Sequence, residues 1–365
     1  MKRALIAVVC MLVLLLTAAK LPIAPQIIIL PRECGGPITI TTGGTYSGCY
    51  WSTSSRTPAV TIWTPQAVTL SRVRIIAKGN GVRAVDTHGT RLTIVDSVFE
   101  QTNPGAVVNH RAVEVNRPAS FVFEHNRLTD TDGIWIGGLR SLRVNPLRVS
   151  YNLAVNIGRY PHPTAGNCCV QFLQLDNVIT PAGEAQWNHT QNLPGQSGVE
   201  DNINLYISGG TDSTHRFDIG HNLIDGAYPR TRNPEFTGGG IMLGDTGGGH
   251  GLAHDNTVVS TTNYGIAVNG ADNYATNNLV VNDGAEQTSS FGQAIVAWPA
   301  VSPARVHATG TRYNWRRSTT DATQYPCWVS TYCSGTAVTT TEQQARHAWE
   351  AARVAAGVIV GPRTD

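Results

Sequence analysis

Short apolar runs recur along most of this chain about every thirty residues, and that recurrence constrains the fold more than any other feature. They are Ala59–Ile62, Arg83–Val85, Ala112–Val115, Ile134–Ile136, Val170–Leu175, Ile203–Ile207, Ile241–Leu243, Ile266–Val268 and Ala294–Ala297. Between centres near 60 and 296 the eight spacings average 29.5 residues. Each run is flanked by Gly, Asn, Asp or Thr, the residues of tight turns. One such run buries too little surface alone, so a fixed period of this length points to stacked units that bury one another. A second register runs beside the first. Asn126, Asn152, Asn222, Asn256 and Asn278 share one local frame, which Asn188 and Asp96 fit less closely. Asn tolerates a left-handed corner, and its amide bonds an equivalent Asn one layer away. These residues predict a structural ladder, and that reading also covers the Asn188-His189-Thr190 triplet.

With this pattern over roughly residues 57–300, the chain resembles the right-handed parallel β-helix proteins of the pectate-lyase-like superfamily, the pectin lyase fold. The resemblance implies an all-β solenoid of about nine or more coils, stacked about 4.8 Å apart. No helical period runs through the body. A short C-terminal helix is predicted within Thr341–Gly357, where Glu342, Gln343, Gln344, Ala345 and Ala348-Trp349-Glu350-Ala351-Ala352 precede Gly357. The expected division is a signal peptide at 1–19, an N-terminal cap segment at 20–56, the parallel β-helix at 57–310 and a C-terminal extension with the helix at 311–365.

Met1-Lys2-Arg3 followed by an apolar stretch from Ala4 to Ala19 has the layout of an export signal, with Thr17-Ala18-Ala19 as cleavage site. The other reading is an uncleaved anchor, for which sixteen apolar residues fall short of the roughly 20 needed to span a bilayer. A secreted or extracytoplasmic protein with no stable membrane insertion is expected. Charged residues make up 14% of the chain and the net charge is +2, so there is no basic stripe for nucleic acid. Cys34, Cys49, Cys168, Cys169, Cys327 and Cys333 remain after the signal, and in an exported chain they predict disulfides. Cys34–Cys49 and Cys327–Cys333 would staple the two ends. No linear metal-ligand spacing accompanies them, so no metal site is expected there.

Three consecutive spacings, of 37, 33 and 37 residues, exceed the rest; the extra residues are Asn156–Asn167, Pro181–Glu200 and Gly226–Gly239. In a solenoid, insertions at one coil position project from one face, often the binding face. These carry Arg159, Tyr160 and His162; Trp187, His189 and Glu200; and Tyr228, Arg230, Arg232 and Glu235. Below them, alternation turns Ile203, Leu205 and Ile207 inward and Asn204, Tyr206 and Ser208 outward. Trp135, Gln171, Tyr206 and Met242 are then expected to line one shallow groove, whose aromatic faces and amides suit a sugar chain. Acids stand at the strand entrance: Asp130 and Asp132, then Glu200 and Asp201 two coils on, about 10 Å away. The candidate acid pairs are Glu200 with Glu235 and Asp201 with Asp132. Asp86, Asn116, Asp176, Ser208, Asp245 and Asn269 read as a structural turn ladder at the strand exit.

The resemblance implies carbohydrate activity, since relatives of this fold include lyases, hydrolases and epimerases of uronic-acid polysaccharides. Lyases of the fold often use a Lys or Arg base, with Ca²⁺ held by acids of the groove. Here Lys78, the only lysine within the coils, lies far from the long loops, which leaves Arg230 or Arg232 for that role. Gly249-His250-Gly251 matches one hydrolase motif, without the accompanying Asp-Asp pair. The expected function is a secreted lyase or glycoside hydrolase acting on an acidic polysaccharide. The alternative is a non-catalytic carbohydrate-binding or cell-surface β-helix protein. The candidate catalytic residues are Glu200, Asp201, Arg230 and Asp132. Candidate substrate contacts are Trp135, Gln171, Asn204, Tyr206, Tyr228, Arg232 and His162. Ca²⁺ is the one cofactor the resemblance implies, and a monomer is expected.

Overall fold

The computed structural model describes residues 34–85, 89–102, 110–158, 170–228, 237–283, 292–297, 306–318, 320–328 and 333–363, apart from the side chains of 139–142. The export signal and Cys168-Cys169 lie outside these residues. Three ladders of parallel strands wind together into a parallel β-helix. The first runs through Ile38–Ile40, Val60–Ile62, Val82–Ala84, Val113–Asn116, Ile134–Arg143, Leu173–Thr180, Asp201–Tyr206, Gly239–Asp245, Tyr264–Val268, Gln293–Ala297 and Cys327–Trp328. Each of the nine apolar runs contributes a strand to it, and one further strand lies beyond them at each end. The second ladder pairs, among others, Leu92, Phe121, Leu147, Gly183, Phe217 and Gly251. The third pairs Leu153, His189, Leu223, Thr257 and Leu279.

Alternation puts the core inside. Arg91–Val95 and Ser120–Glu124 each bury every second residue, as a sheet with one solvated face should. Phe99, Phe121, Phe123, Phe172, Phe217 and Trp315 are fully buried among the stacked Val, Ile and Leu. Cys34–Cys49 and Cys327–Cys333 are bonded at the two ends of the described solenoid. Among the described residues, no helix is long and apolar enough to cross a membrane.

The corner between the second and third ladders carries the Asn stack. The backbone N–H and side-chain amide of Asn126 both donate to Asn152 Oδ1. The same pair of bonds runs from Asn152 to Asn188, on to Asn222, to Asn256 and to Asn278. Each amide of this stack from Asn126 to Asn278 also donates to a second-ladder carbonyl one coil back, for example Asn222 to Ala185 and Asn256 to Ile219. Two expectations are corrected here. Asn188 is a full member of the stack, and Ser97 rather than Asp96 accepts the N-terminal place, its N–H bonded to Asn126 Oδ1. The left-handed residue is the one before each stacked Asn: Asp96, His125, Tyr151, Trp187, His221, Asp255 and Asn277 have φ between 52° and 64°.

Helix α1 (Glu342–Ala355) starts at Thr341, whose hydroxyl accepts from Gln344 N–H while the Gln344 side chain accepts from Thr341 N–H. That is a complete capping box. It lies on the outside of the third ladder, where Ala345 and Trp349 join Leu223, Val259, Leu279 and Val281 in a second apolar cluster. Arg346 reaches both carboxylate oxygens of Asp225, and Trp349 Nε1 donates to the His221 carbonyl.

Candidate active site

The segments between residues 155 and 173, 191 and 201, and 227 and 239 all join the third ladder to the first. The long insertions therefore occupy one coil position, as expected, but Pro181–Glu200 is not all insertion. Gly183–Gln186 and His189–Gln191 belong to the ladders, and only 192–200 forms the connection. His162, Arg230 and Arg232 lie outside the described residues, as do Arg159, Tyr160 and Glu235.

On the outer side of the first ladder, register defines two rows. One holds Arg83, Glu114, Trp135, Gln174, Asn204, Met242, Ala267 and Val296. The next holds Asn116, Gly137, Asp176, Tyr206 and Asp245. The expected groove of Trp135, Gln171, Tyr206 and Met242 thus needs correction. Gln174 takes the place given to Gln171, and Tyr206 belongs one row further along, with Asp176 and Asp245. Ile207 does not point into the core. It takes the left-handed corner at φ 48°, and Ser208 turns in behind it to accept from Val178 N–H.

A third row stands at the strand entrance. Asp132, Gln171, Asp201, Gly239 and Tyr264 each lie two residues ahead of an in-register core residue: Ile134, Leu173, Ile203, Ile241 and Ile266. Here alternation breaks. Asn202 turns inward to bond Asn192, and a Cβ at Gly240 or Gly265 would meet Val258 or Val280 of the core. Two consecutive residues therefore face in, and the residue before them faces out. This places Asp201 and Tyr264 on the outer surface, with Gly239 between them. A Cβ at Gly239 would lie 2.3 Å from Asp201 Oδ1 and 2.7 Å from the Tyr264 ring. Because the position is glycine, the Tyr264 hydroxyl reaches across one coil and donates to Asp201 Oδ1.

The other Asp201 oxygen accepts from Asn204 Nδ2 at 2.8 Å, and the same amide lies 3.3 Å from Asp245 Oδ2. The nearest oxygens of the two carboxyl groups are thus no more than about 6 Å apart. Glu200 stands beside them, held by Gln171 Nε2 at 2.9 Å. Burial pushes the Asp201 carboxyl well above the usual carboxylate range, and the charges of Glu200 and Asp245 push the same way against the Tyr264 and Asn204 bonds. Burial and the neighbouring Asp201 carboxyl likewise raise Tyr264. Asp201 is 2% exposed and Tyr264 3%, whereas Glu200 and Asp245 are half-buried. The buried carbonyls of Gln171 and Asn204 find no donor among the described residues.

Trp135 lies half-buried in the row beside Gln174, its ring over Gly137, where a Cβ would come within 2.2 Å of it. Arg111 bridges to the Gln174 side chain and to the Asp132 carbonyl. The Asp132 carboxylate accepts from His110 N–H and is 4% exposed. It holds a turn, and Asp201 shares its amide with Asp245 instead. Tyr228 is not near this site. It packs beside Glu342, Asp225 and Ser260 under helix α1, where burial pushes it up to about 12. Trp187 and His189 also face α1, through Trp349.

Asp245 and Tyr264 are the residues that sequence reasoning missed. Asp245 was assigned to a turn ladder, and Tyr264 shares the parity of core residues Ile266 and Val268. The Gly-Gly of 239–240 and the Gly at 265, ahead of two strands, were the available signal. Among the described residues, the acids of this face do not assemble the six to eight oxygens that Ca²⁺ takes. Asp201 is committed to Tyr264 and Asn204, and among the described residues no three acids of this face bring oxygens within 4.8 Å of one another.

No protein-family model matches the chain. No curated protein matches it. Among solved structures, a mannuronic acid specific polysaccharide family 6 lyase enzyme from human gut microbiota is similar over 90% of this chain and 91% of its own, at 9% identity and a TM-score of 0.40. Similarity at that level assigns no residue and no substrate here.

Proposed function

We propose that this protein is a secreted polysaccharide-active enzyme that cleaves glycosidic bonds by acid–base chemistry on the outer face of its first ladder. The observation that carries this reading is the pair of carboxyl groups that share the Asn204 amide. Asp201 is buried, bonded by the Tyr264 phenol and shifted toward its protonated form. Asp245 meets solvent and shares the Asn204 amide with it. A buried carboxyl shifted toward its protonated form can act as a proton donor beside a second, solvent-facing carboxyl. In this reading Asp201 delivers its proton to the leaving oxygen at the edge it shares with Asn204, and Asp245 faces the anomeric carbon. Half-buried Trp135 offers a flat apolar surface to a sugar ring. The two disulfides support an oxidising, extracytoplasmic setting.

A lyase acting on an acidic polysaccharide is the second reading. The phenol bonded to a carboxyl in the Tyr264–Asp201 pair favours it, being able to move a proton to a leaving oxygen. The purified chain is to be incubated with a panel of neutral and acidic polysaccharides, following reducing ends and absorbance near 235 nm together. Reducing ends without absorbance are expected, and Asp201→Asn and Asp245→Asn are each expected to lower kcat about 10²–10⁴-fold. Rising absorbance would replace hydrolysis by elimination. Glycan binding without either signal would make the face a binding surface, and full activity in both variants would remove these residues from the chemistry.

A further inference from the structure

Away from that face, at the corner between the second and third ladders, His221, His254 and Asp255 bring one ligand atom each within 4.8 Å of one another. They come from successive coils. His221 and Asp255 occupy equivalent left-handed corner positions, at φ 58° and 53°, directly before the stacked Asn222 and Asn256. His254 pairs across the ladder with Gly220. A Cβ at Gly220 would lie 2.8 Å from His254 Cε1 and Nε2, so the glycine gives the imidazole its seat.

We propose that this corner is a binding site for a divalent transition metal of the zinc type, ligated by His221, His254 and Asp255. Imidazole and carboxylate together are the donors that suit Zn²⁺ and its neighbours. The surroundings are those of a metal-bound histidine as well. His254 turns Nδ1 to Asp255 Oδ2 at 2.8 Å and Nε2 to Asp218 Oδ1 at 2.6 Å. With the metal on Nδ1, Nε2–H donates to Asp218, the carboxylate–histidine–metal arrangement that fixes ring orientation and raises ligand basicity. His221 is held in place on its other sides: its ring stacks on Trp187 at 4.7 Å, and its carbonyl accepts from Trp349 of α1. Three protein ligands leave a fourth position to water.

The test is titration of tag-free, full-length protein with ZnCl₂ by calorimetry, and with CoCl₂ followed by its visible absorption. One ion per chain is expected, with a cobalt spectrum of low coordination number and quenching of Trp187, which Trp187→Phe removes without removing binding. Asp218→Asn, a positioning change, is expected to weaken affinity about 10–100-fold, and His221→Gln with His254→Gln to abolish saturable binding. His221→Gln alone, at a ring on the outside of the corner, keeps the test open should the double variant fold poorly by circular dichroism. Absence of saturable binding to the wild-type chain, or unchanged stoichiometry and affinity in His221→Gln, would overturn the proposal. Neither result bears on the groove chemistry.

Discussion

Two regions of this molecule bury polar side chains, and they do so in opposite ways. At the Asn corner the amides inside the stack are saturated: Asn222 Oδ1 accepts twice from Asn188, and its Nδ2 donates to Ala185 and Asn256. At the entrance of the first ladder, Asp201 is equally buried but sits among other acids, with its carboxyl forced toward the protonated form and unpaired amide carbonyls alongside. Buried polar groups that are fully satisfied hold a fold together, whereas groups left in conflict mark a place where structure serves something else. Removing the buried amide at the first region should therefore lower stability, and neutralising the buried carboxyl at the second should raise it.

The largest effect on stability is expected at the corner. Asn222→Ala removes the acceptor of the Asn188 N–H and takes one bond each from the Asn188 amide, the Ala185 carbonyl and the Asn256 carbonyl, at about 1–3 kcal/mol for each buried group left unsatisfied. A total near 3–5 kcal/mol is expected by denaturant titration. A loss under about 1 kcal/mol would mean that water replaces the ladder bonds and that the corner is not the dry stack described.

Gly239→Ala comes next and probes the other region. The added methyl occupies the gap through which Tyr264 reaches Asp201. Overpacking of this kind costs about 1–3 kcal/mol, and activity should fall with it because the pair is separated. If activity survives intact, the Tyr264 bond is not required for the chemistry.

The contrast also explains what was legible in the sequence. The solenoid could be read because its signal repeats: inward Ile134, Leu173, Ile203, Ile241 and Ile266 share one register, and the Asn frame recurs once per coil. The site was half-legible. Asp201, Glu200 and Asn204 were found because acids and amides at a strand entrance stand out locally. Tyr264 was hidden by a break in alternation, where Gly265 and Ile266 both face in, and Asp245 by its resemblance to an ordinary turn Asp. Coil stacking also sets His221 beside His254, 33 residues later, and no linear ligand spacing captures that.

A third substitution sharpens the comparison with an effect of opposite sign. A carboxyl whose folded pKa is raised above its unfolded value contributes its stability below the unfolded value and loses it as pH rises through the folded one. Near neutral pH the buried Asp201 is therefore a liability, and Asp201→Asn, which removes the charge, keeps an acceptor for Tyr264 and donates to the carbonyl of a turned Asn204 amide, should raise Tm by a few degrees. The gain should shrink as pH falls toward 4, where both side chains are neutral. A variant less stable than wild type at pH 7 would mean that the carboxylate is satisfied in place, as the Asn corner is.

The smallest effect is expected where the corner itself carries charge. The bond to Asp218, followed by that to Asp255, raises His254 to about 9, against burial, and His221 lies across from it at a ring distance of 5.4 Å. A histidine with a raised folded pKa contributes stability that is complete below its unfolded value near 6.5 and disappears as pH rises through about 9. His254→Gln should therefore lower Tm at pH 6 and matter little at pH 9.5, in metal-free buffer. The group is only partly buried, so solvent screens the pair and the shift should be modest. A pH-independent loss would assign His254 a packing role over Gly220. Loss confined to acid pH would mean that the two carboxylates hold an imidazolium here, and that any metal must displace its proton.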